Sequence, residues 1–331
     1  MKILVILTGG TIGSKLSDNI IDVDDPFNIS LLSLYKQRYG NDTDFDVTTA
    51  LNILSENMNT DIWQSLLYTL YNVKTENYDG IIITHGSDTL SYTSSILGIA
   101  LCGVKIPVVL VASNYVLTDS RANGVDNFYG AVEFIRHSSM SGVFVSYKND
   151  DVCEIYLSTR IVKADCYLDK FKSFDGEPLC KVENKKLIMN KKIPTNGREK
   201  ENIIINNSFK NKVALISPYP SIDYNMYHFD KSVKAVLHLT YHSGTACAKG
   251  ENNVLDFIKR CRKQGIDVYF SSLKKNTALY DTALEMLRAG GKPLYNISEE
   301  SAFAKLLLCY NQDKTDTDKF LQKNYFYESI D

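Results

Sequence analysis

The first half of this 331-residue chain alternates short apolar runs with segments of helical period. The β-branched runs are Ile3–Leu7, Gly80–Ile83, Ile106–Val111 and Gly142–Val145, and most of them lead directly into Gly, Ser, Thr or Asn. Helical patterns lie between them, at residues 61–71 with Thr60 as the expected N-cap, at 89–101 and at 127–136. Strands separated by helices form βαβ units, so the sequence predicts an α/β protein with a mostly parallel sheet flanked by helices.

A second α/β region follows a polar stretch. Residues 184–212 are crowded with Asn, Lys and Glu, and beyond them strand patterns resume at 213–216, 235–239 and 266–270, with helical patterns at 253–263, 277–288 and 299–310. We therefore predict a larger N-terminal α/β domain at residues 1–190, a linker at 191–211 and a smaller C-terminal α/β domain at 212–331.

Charge and cysteine content exclude several classes of protein. The 37 Lys and Arg nearly balance the 39 Asp and Glu, whereas a nucleic-acid binder needs a surplus of clustered cations. The apolar run at the N-terminus is too short for a secretory signal, and no run approaches the roughly 18 apolar residues of a membrane span. Seven cysteines with no CxxC pair indicate reduced thiols. We expect a cytoplasmic protein with neither a nucleic-acid nor a membrane partner.

Two loops at predicted strand ends carry hydroxyl groups. Residues 8–14, Thr-Gly-Gly-Thr-Ile-Gly-Ser, form a glycine-rich turn that allows a ligand to approach the main chain closely. The turn lacks the Gly-Lys-Ser/Thr of a P-loop and the spacing of a GxGxxG loop, and taken alone it is more often structural. Residues 84–89, Thr-His-Gly-Ser-Asp-Thr, precede a helix, whose N-terminus favours anions. Taken alone, Ser87 or Asp88 could equally be a simple N-cap.

The two loops together resemble a known family. TGGTIG at 8–13 and THGSDT at 84–89 are similar to the two signature segments of the bacterial-type L-asparaginase/glutaminase family, of the cytoplasmic type I-like kind. The resemblance continues through residues 51–59 and 110–127 and covers most of the first 180 residues. Within the second of these segments, the residues that match the family pattern are Ser113, Arg121, Gly124 and Asn127. It implies a two-domain asparaginase-like fold with a larger N-terminal catalytic domain and a smaller, flavodoxin-like C-terminal α/β domain.

The resemblance also implies hydrolysis of the side-chain amide of free L-asparagine through a threonine acyl-enzyme. Thr11 matches the family's nucleophile, and Ser87, Asp88 and Lys163 match a hydroxyl, carboxylate and lysine set that activates the reaction. Asp88 would hold Lys163, and Lys163 would polarise Ser87, because a desolvated lysine can act as a general base.

Substrate binding is implied for residues around the two loops, with no cofactor and no metal. The implied binding residues are Gly10, Ser55, Glu56, Gly86, Ser87, Asp88 and the main chain of Ala112. Carboxylates suit an ammonium group, and Ser55 with loop N–H groups suits a carboxylate, which together describe a free amino acid. The family also implies a homodimer or homotetramer whose sites are completed by a neighbouring subunit's C-terminal domain.

The sequence departs from the family pattern in three places. Ser87 stands where the family usually has threonine, which keeps the hydroxyl. The loop at residues 14–25 contains no tyrosine; Ile20 occupies the position of the activating tyrosine, and Tyr35 is a doubtful substitute. Asn123 replaces a common acidic residue.

Other interpretations remain open. L-Glutamine could be the main substrate, because the two amides differ by one methylene. A binding protein or sensor of the same fold could have lost turnover. The asparaginase-like subunit of the archaeal amidotransferase acting on glutamyl-tRNA is disfavoured, because such chains carry a further N-terminal domain, whereas this motif starts at Thr8. His238 and His242 are spaced at i and i+4 without neighbouring acids, which argues against a metal site.

Overall fold

The computed structural model describes residues 1–10, 12, 14–17, 20–23, 27–192, 198–206, 208–313 and 315–330, with the backbone alone at 14–17, 20–23 and 27–30. These residues divide into two compact units. The first contains Met1–Ile204 and Tyr325–Tyr327, and the second contains Ile205–Asn324 and Glu328–Asp331. The division of the chain into residues 1–190, 191–211 and 212–331 stays a prediction. No helix in the described ranges has the length and apolar character needed to cross a membrane.

The first unit contains most of the strands that the structure describes. Its strands are β1 (Lys2–Gly9), β2 (Ser14–Ser17), β3 (Ile20–Val23), β4 (Asp44–Ile53), β5 (Gly80–Thr84), β6 (Pro107–Val111), β7 (Gly142–Asn149), β8 (Val152–Leu157), β9 (Ile161–Val162), β10 (Lys172–Ser173), β11 (Cys180–Glu183) and β12 (Lys186–Met189). Its helices are α1 (Phe27–Tyr39), α2 (Thr60–Tyr71), α3 (Leu90–Ala100) and α4 (Gly124–His137).

Eight of these strands form one sheet in the order β12-β11-β8-β7-β6-β5-β1-β4. The five from β7 to β4 are parallel, and β8, β11 and β12 extend the sheet antiparallel. Strands β5 and β6 are buried along their whole length, as expected where both faces of a parallel sheet are covered. The predicted α/β fold with a mostly parallel sheet is confirmed.

The order of the strands places a crevice beside β1. The chain leaves β1 for β4 on one side and then returns to β5 on the other, so the direction of winding reverses at β1. In open α/β sheets, ligands bind at such a reversal, beyond the carboxyl ends of the strands. The two glycine-containing loops predicted from the sequence follow β1 and β5, so they lie at this crevice.

Several element boundaries differ from the sequence-based prediction. The N-cap of α2 is Asn59 and not Thr60, because the Asn59 side chain accepts hydrogen bonds from the backbone N–H groups of Asp61 and Ile62 at 3.0 and 3.1 Å. Helix α4 begins at Gly124, three residues earlier than predicted. Strand β4 was not predicted, because it is an edge strand with mixed exposure and no continuous apolar run.

The second unit has its own parallel sheet in the order β13 (Val213–Ile216), β14 (Ala235–Leu239), β15 (Asp267–Leu273) and β16 (Lys292–Tyr295). Its helices are α5 (Val254–Lys263), α6 (Asp281–Arg288), α7 (Glu299–Tyr310) and α8 (Thr317–Gln322). Strand β16 and helix α8 were not predicted, and α6 begins four residues later than its predicted pattern at 277–288.

The histidine pair of the second unit is divided between core and surface. His238 is buried beneath Tyr224, whose hydroxyl lies 2.8 Å from Nε2, and its Nδ1 lies 2.5 Å from the Leu239 carbonyl oxygen. His242 is exposed. Both ring nitrogens of His238 therefore have partners inside the core, and burial lowers the pKa of this histidine to about 4.

Candidate active site

The turn after β1 brings two backbone segments into contact. Gly9 and Gly10 have φ angles of +94° and +81°, a region that favours glycine, and the Gly10 N–H donates to the Ile53 carbonyl at 2.9 Å. A Cβ placed on Gly10 would lie 2.6 Å from Gly86 Cα, closer than side chains can approach. Glycine at position 10 thus lets the two predicted site loops touch through their main chains.

Ser55 is brought to the same place by a 3₁₀ turn, Ser55–Asn57, that follows β4. The buried Ser55 hydroxyl donates to Asp88 Oδ2 at 3.4 Å, and Thr89 Oγ1 donates to the Ser55 carbonyl at 2.8 Å. A Cβ on Gly86 would lie 2.6 Å from Ser55 Cβ. Loops following β1, β4 and β5 therefore converge, and they bring together the predicted binding residues Gly10, Ser55, Gly86 and Asp88.

Hydrogen bonds to the neighbouring strands β1 and β6 hold the loop between β5 and α3 in place. The Thr8 hydroxyl donates to the Thr84 carbonyl at 2.5 Å, and the His85 N–H donates to the Val111 carbonyl at 2.8 Å. His85 is fully buried, and its Nδ1 lies 2.7 Å from the Gly86 carbonyl oxygen. Burial lowers the pKa of His85 to about 4. The sequence-based interpretation placed His85 in the motif without giving it a role.

A cavity of about 350 Å³ opens beside this loop in the first unit. Its lining consists of Ser87, Asp88, Asn114, Tyr147, Lys163, Ala164, Asp165, Cys166 and Asp169. Three predicted catalytic residues, Ser87, Asp88 and Lys163, thus line one cavity. Asp88, Asp165 and Asp169 supply three carboxylates against the one ammonium of Lys163, a balance that suits a ligand with a positive group.

Lys163 follows β9 and is exposed. Three residues earlier, the buried Arg160 donates to Asp175 Oδ2 at 2.7 Å and to the Tyr327 carbonyl at 2.7 Å. The Phe174 N–H donates to the Arg160 carbonyl at 2.6 Å. These bonds fix the backbone at the start of the segment that carries Lys163 into the cavity lining.

Three further predicted site residues are Thr11, Ala112 and Glu56. Thr11, the predicted nucleophile, falls outside the described residues. Ala112 is buried, and its carbonyl accepts from Asn127 Nδ2 at 2.8 Å; Glu56 is exposed in the turn that begins at Ser55. Neither belongs to the cavity lining.

Asn114 is a cavity residue that sequence reasoning missed. Its Oδ1 accepts from the Asn123 N–H at 3.0 Å, and Asn123 Oδ1 accepts from the Asn114 N–H at 3.0 Å. This reciprocal pair closes the loop between β6 and α4. The position of Asn114 shortly after a buried strand is the sequence feature that could have predicted it. Asn123, which stands where the family has an acidic residue, helps to hold this loop in place.

Tyr35 lies in the aromatic core of the first unit. Its ring is 2% exposed and packs against Phe128 and Phe45, with ring centroids 5.2 and 5.7 Å apart. Burial raises the pKa of Tyr35 to about 12. A side chain packed in this way is held by the core, so Tyr35 does not replace the missing loop tyrosine.

Within the part of the chain that the structure describes, no three His, Cys, Asp or Glu side chains are grouped so that they could hold a metal ion.

A family model described as "Asparaginase, N-terminal" matches residues 2–195. This is more than half of the chain, and the chain therefore belongs to the asparaginase family. The site described above thus lies in the part of the chain that the family model matches.

Solved structures share the fold over the whole chain. The L-asparaginase from Thermococcus kodakarensis aligns with a TM-score of 0.82 at 22% identity, covering 100% of both chains. L-asparaginase I from Vibrio cholerae O1 biovar eltor str. N16961 aligns with a TM-score of 0.80 at 23% identity, covering 99% of both chains. At such low identity these similarities establish the two-domain fold alone.

Curated relatives carry a different name. A glutamyl-tRNA(Gln) amidotransferase subunit from Methanobrevibacter smithii is 27% identical over 336 residues, covering 98% of this chain and 76% of the relative. The protein of the same name from Saccharolobus solfataricus is 25% identical, covering 94% of this chain and 72% of the relative. The sequence-based interpretation disfavoured this kind of protein, and these relatives restore it as a candidate.

Proposed function

We propose that this chain hydrolyses the side-chain amide of free L-asparagine to L-aspartate and ammonia. The observation that carries the proposal is the convergence of the loops after β1, β4 and β5, which brings Gly10, Ser55 and Asp88 together beside the cavity lined by Lys163. A hydroxyl, a carboxylate and a close main-chain approach at one crevice suit a small zwitterion.

The substrate's two charged ends have different partners. The Asp88 carboxylate, with Glu56 nearby, would bind the α-ammonium group. Ser55 and backbone N–H groups at the start of α3 would bind the α-carboxylate, since a helix N-terminus favours anions. A peptide lacks these free charges, so we expect selection for the free amino acid.

The chemistry proceeds in two acyl-transfer steps. The Thr11 oxygen attacks the amide carbon while its proton passes through Ser87 and Lys163 to the amide nitrogen; the C–N bond breaks and ammonia leaves. Water then attacks the Thr11 ester, its proton returns to Thr11, and aspartate is released. Asp88 would position the amine of Lys163. Because Lys163 is exposed, shielding of its amine from water would come with the bound substrate.

Ile20 stands where the family's activating tyrosine is expected, and its side chain lies outside the described part of the structure. Since Tyr35 is buried in the core, Ser87 and Lys163 would activate Thr11 without a tyrosine. We expect slower turnover than with a loop tyrosine, and Ile20→Tyr is expected to raise kcat.

A second candidate is a subunit of an amidotransferase, in which the amide nitrogen is passed to another acceptor. The observation in its favour is the set of relatives named as glutamyl-tRNA(Gln) amidotransferase subunits, which align with 94% or more of this chain. L-Glutamine as the main substrate and a sensor without turnover are further alternatives.

Ammonia release by the pure chain distinguishes these candidates. An asparaginase releases ammonia steadily from millimolar asparagine with no other protein present, and Thr11→Ala reduces the rate by more than about 10³-fold. A faster rate with glutamine would identify L-glutamine as the main substrate. An amidotransferase subunit would be nearly inactive alone with either amide. Binding of aspartate that raises the Tm, without ammonia from either amide, would identify a sensor.

Assembly and location are part of the same proposal. The family resemblance supports a cytoplasmic homodimer or homotetramer that acts on a small molecule and needs no cofactor, nucleic acid or membrane. Light scattering on the eluted protein measures the mass of the assembly, and a monomer with full activity would contradict completion of the site by a neighbouring subunit.

A further inference from the structure

His85 is a buried group that the proposed chemistry does not use. It lies between β5 and Gly86, is fully buried, and approaches the Gly86 carbonyl oxygen with Nδ1 at 2.7 Å. A carbonyl oxygen only accepts hydrogen bonds, so Nδ1 must carry the proton. Nε2 is then a bare acceptor, and it is buried with no hydrogen-bond partner in the described part of the chain.

This arrangement requires a neutral ring. A second proton on Nε2 would have no described acceptor, and burial opposes the charge, which agrees with the lowered pKa of His85. His85 therefore cannot serve as a proton carrier without breaking its own environment. Its single hydrogen bond to Gly86 is what the ring contributes to the loop.

The hydrogen bond determines where the next N–H points. The peptide between Gly86 and Ser87 is trans, and in a planar trans peptide the C=O and N–H bonds point in opposite directions. With the Gly86 carbonyl turned toward His85, the Ser87 N–H points away from the imidazole, and Ser87 itself is one of the residues that line the cavity. Among the described residues no backbone carbonyl accepts this N–H.

We propose that His85 is a positioning residue whose Nδ1–H holds the Gly86 carbonyl and thereby aims the Ser87 N–H at the oxygen of the reacting amide. This proposal rests on the proposed function. The Ser87 N–H would stabilise the negative charge that develops on that oxygen in both acyl-transfer steps. Its effect would therefore appear in the transition state and not in substrate binding.

Three variants separate the hydrogen bond from the bulk of the ring. His85→Asn places an amide N–H where Nδ1 stands, His85→Gln places its amide near Nε2, and His85→Leu removes the donor. We expect kcat to fall about 10- to 100-fold in the Gln and Leu variants with KM within about 3-fold, and the Asn variant to recover kcat to within about 3-fold of the parent.

Thermal unfolding distinguishes a positioning role from a structural one. If His85 only fills space, the activities of the three variants will fall in parallel with their Tm values, whether or not a donor is present at the Nδ1 position. Unchanged kcat in His85→Leu, or equal losses in the Asn and Gln variants, would overturn the proposal. If His85→Leu does not fold, the Asn and Gln pair still decides.

A second measurement is independent of activity. The ¹⁵N shifts of the His85 ring in the parent protein at pH 7 should show a protonated Nδ1 and a bare Nε2, and the other tautomer or a charged ring would overturn the proposal. A parent that releases no ammonia from either amide would instead defeat the proposed function. In that case the ¹⁵N shifts of the ring still decide whether Nδ1–H holds the Gly86 carbonyl.

Discussion

The Ser55 hydroxyl donates to Asp88 Oδ2 across 3.4 Å, although 33 residues separate the two in the chain. Ser55 follows β4 and Asp88 follows β5, the two strands that flank β1. The pair therefore spans the crevice at which the sheet reverses its winding, the position where ligands of open α/β sheets bind. We expect the pair to share one substrate molecule.

Ser55→Ala should weaken substrate binding more than it slows chemistry. The hydroxyl serves the charged groups of the substrate, and loss of one such hydrogen bond is worth about 1.5 kcal/mol, so KM should rise about 10-fold with kcat within about 3-fold. Steady-state kinetics with asparagine measures both. The exposed Ser65→Ala, on helix α2, is the control. A fall in kcat with unchanged KM would place Ser55 in the chemistry instead.

Lys163→Gln should abolish most activity and leave stability unchanged. An exposed lysine contributes little to folding, whereas loss of a general base costs about 10²- to 10⁴-fold in rate. Lys170→Gln is the matched control, because Lys170 directly follows Asp169 of the cavity lining but pairs with Asp150 at 2.7 Å. Equal activities of the two variants would remove Lys163 from the mechanism.

Gly10→Ala should lower both stability and activity, and Gly40→Ala separates the two causes. Both glycines have positive φ, +81° and +103°, but a Cβ at Gly40 meets nothing within 4 Å, whereas one at Gly10 meets the Gly86 backbone. We expect Gly40→Ala to cost about 1–2 kcal/mol of unfolding free energy from backbone strain alone, with activity kept.

Gly10→Ala should cost more than Gly40→Ala and should inactivate the protein, because the clash moves the two site loops apart. Urea unfolding measures the free energies, and ammonia release measures the activity. Equal free-energy losses in the two variants would show that the contact between Gly10 and Gly86 tolerates a methyl group.

The second unit should lose stability as the pH falls from 6.5 toward 4. An unfolded histidine takes up a proton near pH 6.5, whereas burial lowers the pKa of His238 to about 4, so the unfolded state binds more protons in this window. The stability that the neutral, buried His238 contributes is fully present above pH 6.5. It is lost on acidification, and the loss of unfolding free energy reaches up to about 3 kcal/mol at pH 4.

His238→Gln isolates this effect because glutamine does not titrate. We expect the variant's unfolding free energy to fall less steeply between pH 6.5 and 4 than the parent's. His242→Gln replaces the exposed histidine of the same unit and should leave the slope unchanged. Parallel curves for His238→Gln and the parent would show that His238 is charged in the folded protein.

The buried parallel strands could be predicted from the sequence because each is covered on both faces. Strands β5 and β6 are therefore continuous apolar runs, which stand out without any knowledge of their neighbours. Strand β4 and the antiparallel β12 carry exposed residues along much of their length. Their pairing depends on the strands beside them, so no local pattern revealed them.

The sequence by itself determined the loops that carry the candidate chemistry, because Gly10 and the hydroxyl-rich residues 84–89 follow buried strands whose ends share one edge of the sheet. Only the tertiary structure decided that Ser55 touches Asp88, that Tyr35 belongs to the core and that His85 holds the Gly86 carbonyl. The physical reason is that strand order and burial are properties of the packed sheet. A local pattern shows which residues follow a strand but does not show which strands become neighbours.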